Sequence, residues 1–171
     1  SNDLYLNWNN MYRLRYQFIK NFVLFQIISY SVFTINENKL FAGLDGNYLL
    51  SIAKNQFLHG SNFFFENNYL QGIGGNINFP VNLRLDPGYI VLKITNFQNL
   101  SLGYLTWATL LFVACVFLAQ SIGLQPKLIF IFAWMLPMLS LWPTPIRLYP
   151  LLAMTPQVAT TISLIMVMLS T

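Results

Sequence analysis

The sequence predicts an all-α, polytopic helical membrane protein of about four transmembrane helices, with a large extracytoplasmic first loop containing interfacial helices. Three observations carry this. Of 171 residues, 56% are hydrophobic and only 8% are charged, against roughly 25% charged in a soluble domain that must cover its surface. Apolar runs of spanning length recur, where about 20 residues are needed to cross the hydrocarbon layer. The acidic residues other than Asp3 (Glu37, Asp45, Glu66 and Asp86) all fall in one polar segment between the first two runs.

Residues 1–15 read as a cytoplasmic segment carrying Arg13 and Arg15. The first span, 16–35, surrounds NFVLFQIISYSVFTI, with Lys20 near its start and able to snorkel to the headgroups. The second, 100–124, is charge-free. The third, 127–142, is short and carries Pro137, which predicts a kink or tilt. The fourth, 148–171, has Pro150 and Pro156 near its beginning. Trp107, Trp134 and Trp142 serve equally well as interfacial anchors or as ordinary packing. Arg13, Arg15 and Lys20 before span one, with Lys127 between spans two and three, place the amino terminus in the cytoplasm by the positive-inside rule. The loop 36–99 then lies on the extracytoplasmic face. Beginning on Ser1 and ending at Thr171 inside an apolar run, the chain reads as the amino-terminal part of a longer polytopic protein.

Several function classes recede. The net charge of +4 is spread thinly, without the basic patch of a nucleic-acid binder. One cysteine, Cys115, permits neither an internal disulfide nor a cysteine metal site. The spans hold no ionisable group beyond their ends, whereas ion-coupled transport paths usually need one. Chemistry in this chain therefore belongs to the loop. Its stretch GLDGNYLLSIAKNQFLHG predicts a short interfacial helix with Asp45 at or near the N-cap and Gly60 just past its end. Leu49, Ile52, Ala53 and Phe57 form its apolar face. Residues 87–97 predict a second interfacial helix or an extension of span two. Taken singly, Asp45 is more often a helix cap than a catalyst, His59 a favourable dipole contact, and GIGG a tight loop rather than a nucleotide fingerprint.

The order of one cytoplasmic-start span, a long outside loop with an early acid, an interfacial helix and an aromatic Gly/Pro-rich stretch resembles the amino-terminal part of the GT-C superfamily of membrane glycosyltransferases. GLDG at 43–46 and NNYLQGIGGNINFP at 67–80 carry the resemblance, which covers residues 22–124. Many members hold a pair of acids in this loop, whereas here Gly46 follows Asp45. The resemblance implies inverting transfer of a sugar from a polyprenyl-phosphate carrier in the lipid bilayer to an extracytoplasmic acceptor glycan, lipid or protein. It implies Asp45 as the catalytic base, with Lys54, His59, Gln71 and Arg84 as substrate-binding candidates. The departing lipid phosphate needs cations or a divalent metal ion, and Lys54, Arg84 and Lys93 are the cations in reach. A bacterial inner membrane is the implied setting. The competing expectation is a non-catalytic polytopic protein: a scaffold, an assembly partner or part of a transporter.

Overall fold

The computed structural model describes residues 2–40, 44–59, 67–69, 76–78, 85–142 and 156–170, with side chains from Arg15 in α1 and from Ser163 in α6. Among the described residues it is helical apart from one pair of short antiparallel strands. Helix α1 spans Asn2–Ile35, α2 Leu44–His59, α3 Pro87–Ile94, α4 Leu100–Ser121, α5 Pro126–Leu141 and α6 Pro156–Ser170. Two helices are long and apolar enough to cross a membrane, Arg15–Ile35 within α1 and Leu100–Ser121; Pro126–Leu141 is a shorter apolar helix.

Helix α1 does not begin at the expected first span. It runs unbroken through the amino-terminal segment for 34 residues, about 51 Å at ~1.5 Å per residue. Within its apolar part, Phe18, Phe22, Phe25, Ser29 and Phe33 recur at spacings that make one stripe. Phe25, Ser29 and Phe33 are fully buried. This stripe meets α4: Phe25 stacks on Phe112 at 4.6 Å between ring centroids, and Phe33 meets Tyr104 at 5.7 Å. Trp134 of α5 stands edge-on to Phe25 at 5.2 Å. On the other side Ile19, Val23, Leu24, Ile27 and Ile28 are exposed. Because Phe33, near Ile35, meets Tyr104 near Leu100, and Phe25, farther from Ile35, meets Phe112 farther from Leu100, α1 and α4 run antiparallel. Glu37 fastens that end, its Oε1 accepting from the Leu100 backbone N–H at 2.9 Å.

Helix α4 is the centre of the bundle, in contact with α1, α3, α5 and α6. Its buried residues cover more than half of its circumference and the rest of its surface is apolar too, so no amphipathic stripe marks it. Ala108, Ala114, Cys115 and Ala119 are small and buried, which lets neighbouring backbones approach closely. It ends in a left-handed residue, Gly123 at φ 74°, where the Leu124 N–H reaches back to the Ala119 carbonyl. Such a C-terminus favours glycine because no Cβ opposes it. Pro126 then opens α5, and Pro137 is buried inside that helix. The fourth predicted span corresponds to α6, which packs on α4 and α5 and brings Met166 sulfur to 4.0 Å from that of Cys115. Residues 148–155 of that predicted span lie outside the described ones.

In the loop, α2 falls where the helical pattern predicts it. Strands β1 (Asn67–Tyr69) and β2 (Asn76–Asn78) pair antiparallel, with Asn68 opposite Ile77. The sequence reading gave this stretch no strands, and an Asn-rich composition gives no alternating apolar pattern to reveal them. Helix α3 is separate from α4, and neither an extension of it nor detached from it. It folds back along the first two turns of α4 through a turn at residues 95–99. Asn96 and Phe97 both take left-handed backbone angles there, φ 50° and 57°. The Phe97 N–H closes on the Leu92 carbonyl at 2.7 Å.

Candidate functional site

Helix α2 begins at Leu44, so Asp45 is its second residue and sits inside the first turn. Asp45 thus lies near the N-cap, as the sequence predicts. A negative side chain in a first turn is favoured by the helix dipole whatever else it does. His59 is the last residue of α2. A helix of this kind sets it about 21 Å from Asp45 along the axis and Lys54 about 13 Å from Asp45, at ~1.5 Å per residue. These three predicted site residues thus share one helix without converging on one point. Gln71 and Arg84 lie outside the described residues, as does Gly60.

Lys54 is exposed, and its Nζ stands 5.8 Å from the centroid of the Phe97 ring, a cation–π contact. Phe57, one turn on, meets the same ring at 5.9 Å. Phe97 is held in the left-handed turn between α3 and α4, so α2 is docked by two side chains to the turn that leads into the amino-terminal end of α4. Lys93 lies in the last turn of α3, where a cation suits the helix dipole.

Among the described residues the buried acid is Asp86, one of the loop acids. It caps α3. Its Oδ1 accepts from the backbone N–H groups of Gly88 (2.9 Å) and Tyr89 (3.2 Å), and from the Trp107 indole N–H at 2.6 Å. The last is short, as expected for a donor facing a charged acceptor. Gly88 is needed for this approach, because a Cβ there would overlap the Trp107 ring. Gly103 of α4 likewise leaves room for Leu92. Tyr89 and Tyr104 both stand edge-on to Trp107, at 5.1 and 5.4 Å. Burial first, then the neighbouring Asp86 and Tyr104, push the Tyr89 phenol well above its usual range, so it stays neutral. The signal for this cluster was present as Asp-Pro-Gly at 86–88, a cap followed by proline at the first helical position. The partner Trp107 had no signal at all.

Across the bundle, the Gln26 amide of α1 donates to the Thr109 hydroxyl of α4 at 2.8 Å, while that hydroxyl lies 2.6 Å from the Leu105 carbonyl. Beside this pair runs a shallow groove of about 250 Å³ lined by Val91, Leu102, Leu105, Thr106 and Leu110. Among the described residues no group of three or more His, Cys, Asp or Glu side chains is gathered for a metal ion. Comparison with protein-family models, with curated proteins and with solved structures finds no match.

Proposed function

We propose that this chain is an integral membrane protein whose α1, α4, α5 and α6 span the bilayer. In this reading the amino terminus is cytoplasmic, the membrane is the bacterial inner membrane, and the outer face works on a polyprenyl-phosphate-linked sugar as a GT-C-type glycosyltransferase. The observation that supports it is the docking of α2, with Asp45 in its first turn, onto the turn that leads into the apolar helix α4 through Lys54, Phe57 and Phe97. A carrier with its tail in the bilayer presents its sugar at that height.

In the proposed reaction the Asp45 carboxylate takes the proton of an acceptor hydroxyl as that oxygen attacks the anomeric carbon. The bond from that carbon to the phosphate oxygen breaks with its electron pair leaving on the lipid phosphate. Lys54, His59, Gln71 and Arg84 are the substrate-side candidates, and a divalent cation is an alternative partner for the phosphate. The test is Asp45→Asn in the full-length protein, assayed in membranes with a polyprenyl-phosphate sugar donor. Loss of at least about a hundredfold in transfer with unchanged membrane insertion is expected, in line with the usual contribution of a general base. Full activity would remove Asp45 from the chemistry.

A second reading, a non-catalytic scaffold or assembly partner, draws on a different observation. Glu37 and Asp86, whose carboxylates are described, both serve as helix caps. It predicts that Asp45→Asn is silent and that a protein partner copurifies in mild detergent.

A further inference from the structure

We infer that α3 is a re-entrant helix, seated in the hydrocarbon of the outer leaflet beside α4 rather than lying on the membrane surface. This rests on the reading of α1 and α4 as spans. Gly88 abuts Trp107 and Leu92 abuts Gly103, so α3 runs antiparallel to α4 and its start lies level with Trp107. That level is seven residues into α4, about 10 Å from its outer end at ~1.5 Å per residue.

The charges on α1 fix where the hydrocarbon begins. Arg15–Ile35, 21 residues, measures about 31 Å, matching a hydrocarbon layer of about 30 Å. Exposed Lys20 and Arg15 stand at its inner end, and Glu37 and Lys39 follow its outer end. Sliding the layer until Trp107 reached its edge would draw Arg15 and Lys20 about 10 Å further in, at a cost of up to about 3 kcal/mol per charge. With the layer where α1 sets it, Asp86 enters instead, as a carboxylate already met by three protein N–H donors. The start of α3 is therefore inside the layer.

Two features of α3 suit that position. A helix start in hydrocarbon must satisfy its free N–H groups within the protein. Here Pro87 has none, Gly88 and Tyr89 donate to the Asp86 carboxylate, and Ile90 donates to the Asp86 carbonyl at 3.0 Å. The outward side of the segment is apolar: Leu85, Ile90 and Ile94 are 60%, 41% and 76% exposed. Acyl chains are its occupant. The polar residues Thr95, Asn96, Gln98 and Asn99 gather at the turn, at the water side.

Spin labels at Ile90→Cys and Ile94→Cys, in a Cys115→Ala background of the full-length protein in phosphatidylcholine/phosphatidylglycerol vesicles, test this. Ile28→Cys on α1 is the hydrocarbon reference and Lys39→Cys the water reference. The expected result is that position 90 collides with oxygen several times more often than with a water-soluble nickel complex, close to position 28, with position 94 shallower. A label at 90 as open to nickel as that at 39, while 28 stays oxygen-rich, would overturn the re-entrant placement alone. Water-like values at 28 as well would overturn the spanning reading and this inference with it. Agreement between positions 90 and 94 guards against one substitution disturbing the helix.

Discussion

Asp86, Gly88 and Trp107 form a unit in which each residue needs the others. The carboxylate holds the start of α3, the indole N–H completes its shell, and the missing Cβ at Gly88 lets ring and helix meet. Trp107→Phe removes one hydrogen bond to a charged acceptor and empties the buried space of the second indole ring, for an expected loss of about 2–5 kcal/mol in stability. Gly88→Ala keeps the backbone cap but forces the ring aside, and with it the indole bond to Asp86, for roughly 1–3 kcal/mol. The two together should cost less than their sum, because a displaced ring has already lost its bond to Asp86. Thermal unfolding in detergent of the four-protein cycle measures this, and strict additivity would show that the unit does not exist. Legibility at this scale was partial. Asp-Pro-Gly announces a helix start, but nothing local ties Asp86 to a tryptophan 21 positions away. The sequence pattern drew attention to Asp45 instead, since an acid before a clear helical periodicity is the more visible case.

At the scale of elements, α1 and α4 meet through aromatic rings along their length and through one polar pair, Gln26 with Thr109. Such bonds between helices in lipid average about 0.6 kcal/mol, well below what the buried aromatic contacts supply. Gln26→Leu should therefore leave the helices together and lower stability by less than about 1 kcal/mol. Phe112→Ala, which removes the ring shared by Phe18, Phe22 and Phe25, should cost about 3–5 kcal/mol. Chemical unfolding in mixed micelles ranks the two, and a larger loss at Gln26 would mean that the polar pair dominates the interface. Apolar runs mark α4 and α5 in the sequence, and helical spacing marks α2. The return of α3 along α4 has no such mark. Its turn relies on Asn96 and Phe97 in left-handed conformations, with none of the glycine or proline that usually signals a reversal. Helix α4, buried on several sides, offers no polar face to show which neighbours it takes.

At the scale of the whole molecule, the charges and the bundle make one demand on topology. Helices α1 and α4 are antiparallel with Glu37 at their shared end, and α4 turns tightly into α5 at Gly123. If both are spans, Lys39 and Lys127, each exposed, must face opposite sides of the membrane. The positive-inside rule assigns Lys127 to the cytoplasm with Arg15 and Lys20. In intact cells a membrane-impermeant maleimide should thus label Lys39→Cys and spare Lys127→Cys until the membrane is opened. Buried Cys115 should stay unlabelled throughout. Labelling of only Lys127→Cys would keep the spans and invert the orientation. That would move α2 and Asp45 to the cytoplasmic face and remove the proposed extracytoplasmic reaction. Labelling of both residues from one side would show that α4 does not cross, and the two-ended charge pattern of α1 would then need an origin other than the bilayer.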